Sequence, residues 1–226
     1  MVARRVYDKS PRNPGHNSVR TDATKVSGIQ RIREQSARCG EGDLTLKYDR
    51  LKLALRQGLA LLDQALIDDG LTLRLLLGGA SAMKIAGLTS RDSRDIDNLI
   101  ALSNAIVQKI SEIAQQFDLD ADWLNDQAFD IPLPFGAELR LVKLECPLKA
   151  ITIEVLSRGD LITMKVNAAV TRGEARDYDD LRNAVISPDE FEVAVSYIKE
   201  KQRPDDPEFR KYQDQDIEVL RAQLFR

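Results

Sequence analysis

Two aspartates flank a single isoleucine at Asp95-Ile96-Asp97, and a glycine pair, Gly78-Gly79, closes a greasy run shortly upstream. On an extended strand, residues i and i+2 share a face. The two carboxylates would then project together, with Ile96 buried behind them. Like charges that close repel unless a cation or a basic group lies between them. Mg²⁺ suits such a pair of hard oxygens, and two ions roughly 3.5–4 Å apart are the machinery of in-line displacement at phosphorus. The glycines offer the complementary half. Without a Cβ they let the backbone approach a polyphosphate. A helix starting near Gly79-Ala80-Ser81 would turn its free N–H groups and positive dipole end toward the phosphates, and the Ser81 hydroxyl would add a hydrogen bond. Each motif alone has a plainer meaning: a glycine pair after a strand is often a tight turn, and Asp-x-Asp is frequent in charged loops. Their conjunction, each at the end of an expected strand, points to a phosphate-and-metal site.

Composition narrows the chemistry further. The chain carries 226 residues and a net charge of −3, so no global basic field advertises nucleic acid. His16 is the only histidine and sits in a loop-like segment, which disfavours serine–histidine hydrolysis, histidine zinc sites and histidine acid/base catalysis. Catalysis would have to run on carboxylates, lysine, arginine or hydroxyls. Cys39 and Cys146 are too few for a disulfide framework and have no metal-ligand spacing, as expected of reduced thiols in a cytoplasmic protein. No apolar run approaches transmembrane length, and no apolar stretch follows Arg4 and Arg5 as a secretory signal requires.

The elements that must position these residues can be read in order. Residues 1–44 lean basic, and "SPRNPGHNS" reads as loop; a solvated tail is favoured over a binding arm because the charges are scattered. Leu51, Leu55, Leu59, Leu62 and Leu66 recur at helical spacing up to Asp69-Gly70. "LTLRLLL", residues 71–77, reads as a buried strand feeding the glycines. Residues 81–86 give one or two helical turns, and "DIDNLIAL" a second strand. Ser103 caps a helix running to about Phe117. "AELRLVKLE" alternates as a third strand, and "AITIEVLS" forms a fourth. Ser157 and Asp160 resemble a capping box before "LITMKVNAAV", "ARDYDDLRNAV" is another short helix, and Ser187-Pro188-Asp189-Glu190 opens a further one. A last helix starts near Pro207. The class is α+β, a small mixed sheet flanked by helices.

At this level "GGASAMKIAGLTSRDSRDIDNLI" resembles the signature of the nucleotidyltransferase superfamily: a glycine pair, a spacer, then Asp-hydrophobic-Asp opening a strand. Arg91, Ser93 and Asp95-Ile96-Asp97 match its "R-x-S-x-D-I-D" version, typical of minimal, AbiEii-like nucleotidyltransferases, many of them toxins of toxin–antitoxin or phage-defence systems. "DLITMKVNAAVTRGEARDYDDL" is similar to the second half of that group, and the resemblance spans about residues 71–186. It implies a polymerase-beta-like sheet over residues 45–157, with the helices of 158–226 completing the cleft. Gly78, Gly79 and Ser81 would cradle the triphosphate, with Arg91 and Ser93 on the substrate side. Asp95 and Asp97 would bind Mg²⁺, two ions, with Mn²⁺ as a substitute. Lys165 would meet phosphate as pyrophosphate leaves, and Asp177 with Asp180 would complete the site. For the third metal carboxylate Glu154 is the candidate, as a residue on a strand beside Asp95; Glu138 and Glu145 are weaker ones. Asp97 or Glu154 would draw the acceptor proton. The implied partners are an NTP, an RNA such as tRNA or a protein side chain as acceptor, and a cognate antitoxin, without a membrane.

Residue physics leaves some of these roles open. Lys165 falls inside the apolar stripe of Leu161, Met164, Ala168 and Ala169. It either meets an anion there or packs its stem and sends its head to water. Acids such as Asp177, Asp179 and Asp180 also favour the first turn of a helix for dipole reasons alone. Trp123, the only tryptophan, reads as a core anchor before a turn rather than as a base platform. Two further function classes compete. One is a catalytically degenerate member that binds a nucleotide or partner, marked by a missing third carboxylate. The other is a haloacid-dehalogenase-type phosphatase, whose acids follow directly from a hydrophobic strand; "TSRDSR" before Asp95 argues against it.

Overall fold

The computed structural model describes residues 44–201 and 204–225. The basic arm expected over residues 1–44 lies, apart from Leu44, outside them, as do His16 and Cys39. The chain runs α1 (Leu53–Asp68), β1 (Leu73–Leu77), α2 (Gly79–Ala86), β2 (Ile96–Asp97), α3 (Asn104–Phe117), β3 (Leu124–Asn125), β4 (Val142–Lys143), β5 (Ile151–Val155), α4 (Arg158–Arg172), α5 (Ala175–Asn183), α6 (Pro188–Lys201) and α7 (Pro207–Leu224). The architecture is mixed α+β. Among the described residues no helix is long and apolar enough to cross a membrane.

Two small sheets meet at the end of β1. β1 pairs in parallel with β5, Leu73 opposite Ile151 through Leu77 opposite Val155, and β4 adds to the other edge of β5 in antiparallel sense. β2 and β3 form a parallel pair, with Ile96 opposite Leu124. An antiparallel bridge between Leu77 and Asn98 joins the two sheets. Asn98 is wholly buried, and its Oδ1 accepts the Leu76 N–H at 2.9 Å. That side chain takes the place of a ladder carbonyl, so "DIDNLIAL" contributes only two strand residues before the chain leaves the sheet. The expected strand "AELRLVKLE" is shorter still. Gly136 adopts a positive φ of 71° and starts a 3₁₀ turn, Ala137–Leu139. Arg140 is drawn to Asp160 by Nη2–Oδ1 and Nε–Oδ2 bonds of 2.6 and 3.2 Å, which leaves Val142–Lys143 to pair.

The helix signals work as local chemistry dictates. Ser103 caps α3 by accepting from Ile106 N. Ser157 caps α4 through the Asp160 N–H, and Gly173 closes that helix in the left-handed conformation. Ser187 and Glu190 exchange side chain-to-backbone bonds of 3.2 and 2.9 Å, a complete capping box before α6. Trp123 is fully buried, bonds Ile110 O through its indole N–H at 3.2 Å, and lies against Gly58 of α1. It ties α1, α3 and β3 together as a core anchor. α4 is the hub of the second half and packs on α2, α5, α6 and α7. Its placement beside α2 brings the helical half against the glycine turn.

Candidate active site

β1 ends at Leu77 and passes through Gly78, with extended backbone, into Gly79 at φ +63°. The left-handed conformation is inexpensive for glycine and costs other residues. Space makes the same demand, since a Cβ on Gly79 would stand 1.8 Å from Oδ2 of Asp97. The Asp97 carboxylate therefore rests on the turn itself, and the Gly78 N–H holds the strand there by donating to Asp97 O at 3.0 Å. α2 starts at Gly79, so its first N–H groups lack intrahelical acceptors.

Asp95 stands just ahead of β2, where its Oδ1 accepts from the Ser93 hydroxyl at 2.9 Å. Burial pushes the Asp97 carboxyl above its ordinary pKa, and the Asp95 charge adds to the rise. Lys165, Arg172 and Arg176 pull in the other direction. The Asp97 carboxylate thus faces cations supplied by α4 and α5, while Asp95 stands beside it and is not among the cleft-lining residues.

That facing wall is a buried network. Lys165 is 7% exposed; its Nζ lies 3.0 Å from Asp177 Oδ1 and 2.9 Å from Asp180 Oδ2. The lysine in the apolar stripe has met anions rather than water. Asp180 has no exposure and also accepts from Arg91 through Nε and Nη2, at 3.1 and 2.6 Å, and from Thr89 Oγ1 at 3.1 Å. Burial would lift its pKa, but the Arg91 hydrogen bond and the Lys165 charge outweigh it and hold the carboxyl below the ordinary range. The same bond raises the Arg91 pKa. Arg172 Nη2 contacts Asp177 at 3.1 Å while half of its side chain stays exposed. Three cations, Lys165, Arg91 and Arg172, thus surround two carboxylates, leaving one positive charge in surplus opposite Asp97.

Between the two walls lies a cleft of about 180 Å³, lined among others by Gly79, Asp97, Lys165, Asn167 and Arg172. Gly79, Asp97 and Lys165 are the expected site residues that line it. Gly78 is packed beneath Leu99, whose Cδ1 would stand 2.9 Å from a Cβ there. Ser81 is wholly buried, with its hydroxyl 3.4 Å from Gly78 O, so that hydroxyl bonds the turn rather than the cleft. Arg91 and Asp180 bond each other, Asp177 stands behind Lys165, and Ser93 serves Asp95.

Glu154 requires a correction. It was expected beside Asp95, but β1 separates β5 from β2. Its carboxylate instead accepts from Arg74 Nε at 2.7 Å. Glu138 sits in the 3₁₀ turn and Glu145 is exposed. Among the described residues no three Asp, Glu, His or Cys side chains gather to hold a metal ion. The donors that are present still fit Mg²⁺, which is commonly bound by one or two carboxylates and completes its shell with water and substrate phosphates. Asp97, lifted first by burial and then by the neighbouring Asp95 charge, is the group whose unfavourable charge a cation would relieve.

Three polar cleft residues, Arg172, Asn167 and Thr171, escaped the sequence reading. Arg172 follows Lys165 by seven residues, two helical turns, so the spacing alone puts it on the same face. Asn167 carries no such signal, because an asparagine inside a helix has no preferred role.

Residues 55–220 match the family described as "Nucleotidyltransferase of unknown function (DUF6036)". No curated protein and no solved structure matches the chain. The match covers most of the chain and includes the glycine turn, both aspartates and the Lys165 network, and the protein belongs to this nucleotidyltransferase family.

Proposed function

We propose that the protein is a metal-dependent nucleotidyltransferase that moves a nucleoside monophosphate from an NTP onto an acceptor hydroxyl or phosphate. The observation that carries this is the Asp97 carboxylate seated on the Gly79 turn, across a cleft from Lys165 and Arg172. Asp95 and Asp97 would hold Mg²⁺, which supplies charge neutralisation at the phosphates. The chain's own residues do the rest. The start of α2 offers backbone N–H donors to the phosphates. Lys165 and Arg172 oppose the charge that builds on the pyrophosphate as the bond to the α-phosphorus breaks and the acceptor oxygen takes its place. The pairs around Asp180 hold Lys165 in position, so little reorganisation is needed at the moment of reaction.

RNA such as tRNA, or a protein side chain, is the acceptor class, and a role as the toxin of a toxin–antitoxin or phage-defence pair with a cognate antitoxin goes with it. Both rest on the resemblance of "RDSRDID" and "RDYDDL" to AbiEii-like enzymes. A second reading is favoured by the Glu154–Arg74 pair and by the absence, among the described residues, of a third carboxylate gathered with Asp95 and Asp97: a nucleotide-binding member without turnover. Incubation of wild type and Asp97→Ala with each α-labelled NTP, Mg²⁺ and total RNA separates the two. Transfer of label to RNA or to protein by wild type alone supports the enzyme. Saturable NTP binding without transfer supports the binding module, and equal transfer by both proteins removes Asp97 from the site.

A further inference from the structure

The cleft is two-sided, and the second side has its own chemistry. Successive residues of α4 are about 100° apart, so Lys165 and Arg172 lie near one edge of the cleft-lining face while Asn167 and Thr171 lie near the other, with Ala168 between them. The cleft lining also includes the apolar Ala128, Ile131 and Met164. Asn167 is 8% exposed, and its Oδ1 is buried with no hydrogen-bond partner among the described residues. Its main chain is already engaged, since Thr171 Oγ1 donates to the Asn167 carbonyl at 2.8 Å. A buried amide acceptor left unpaired is costly, and such a group in a functional cleft calls for a ligand donor. An apolar wall with one convergent polar group is also how small-molecule seats are built.

Resting on the nucleotidyltransferase reading above, we infer that Asn167 recognises the nucleoside half of the bound nucleotide. A turn of its carboxamide about χ2 brings Oδ1 from its buried position to the cleft, where it accepts a hydrogen bond from a ligand N–H or O–H, either the exocyclic amine of the base or a ribose hydroxyl, while the polyphosphate lies toward Lys165 and Arg172. Ala168, between the two edges, keeps the middle of the helix face low enough for the nucleotide to cross it.

The test is calorimetric binding of the four NTPs and of inorganic tripolyphosphate, each with Mg²⁺, to wild type, Asn167→Leu and Asn167→Ala. Asn167→Leu keeps the forked shape of the side chain without its polar atoms, and Asn167→Ala provides the measurement if the bulkier leucine variant misfolds. The expected result is a loss of about tenfold in affinity for the preferred NTP, with tripolyphosphate affinity unchanged. Repeating the series with the 2′-deoxy form and with a base lacking the amine identifies the donor: the analogue without it binds wild type and variant alike. Unchanged NTP affinity in a folded variant overturns the assignment and leaves the nucleotidyltransferase reading standing. An equal loss for NTP and tripolyphosphate overturns it too, by placing Asn167 at the phosphate end. Absence of NTP binding by wild type overturns both.

Discussion

Asp97 occupies the volume that a side chain on Gly79 would need, with Oδ2 only 1.8 Å from where a Cβ would be. The glycine turn and the acid are therefore one device, although they lie 18 positions apart in sequence. Gly79→Ala must move Asp97 and must also hold alanine at φ +63°. The backbone term alone costs about 1–2 kcal/mol. Thermal unfolding should show a modest loss of that order, whereas transfer activity should fall at least about a hundredfold, because a displacement of about 1 Å at a reacting centre costs that much. A variant that loses stability but keeps its activity would separate the turn from the chemistry.

Asp97→Asn should stabilise the metal-free protein near neutral pH while abolishing transfer. Burial and the Asp95 charge raise the Asp97 pKa in the folded state. The folded protein thus binds this proton more tightly than the unfolded chain, and stability declines as the pH rises from the ordinary carboxylate range through the raised value. The asparagine mimics the protonated form, so its advantage should be present at neutral pH and disappear on acidification below both values. Melting temperatures across pH in the presence of a chelator test this. Adding Mg²⁺ with NTP should then raise the melting temperature of wild type more than that of the variant.

Asp180→Asn carries the opposite pH signature. Its pKa is lowered in the fold despite burial, through the Arg91 bond and the Lys165 charge. The stabilisation is therefore full above the ordinary carboxylate range and is lost as the pH falls through the lowered value. Breaking a buried pair from one side costs about 3–5 kcal/mol. Urea unfolding near pH 7 should show a loss of that size, shrinking in strong acid, and Arg91→Ala should account for part of it.

Arg172→Ala should leave the fold nearly intact. Its side chain is 49% exposed and pairs with Asp177 at the cleft edge, so the stability change should stay within about 1 kcal/mol. If it opposes charge on the leaving pyrophosphate, kcat should fall about 10–100-fold. Unchanged kinetics would make Arg172 a structural partner of Asp177 only.

Much of this protein is written in short-range pattern. The leucine spacing of α1, the Ser103 cap of α3, the Ser157 and Ser187 starts of α4 and α6, and the proline start of α7 are decided within one or two helical turns, where propensity and capping act. The glycine turn and Asp95-Ile96-Asp97 are each legible for the same reason, since one follows the apolar run of β1 and the other opens β2. Strand length and partnership were not legible. β3 is two residues long and exists because β2 lies beside it, and "AELRLVKLE" gave up most of its length when Arg140 bonded Asp160. Tertiary structure alone decided that Glu154 would belong to Arg74, that Asp180 would grip Arg91 across 89 residues of sequence, and that Asn167 would reach the cleft unpaired. These outcomes depend on which elements pack together, and a buried charge or amide takes the partner that packing brings within reach, information that spacing along the chain does not hold.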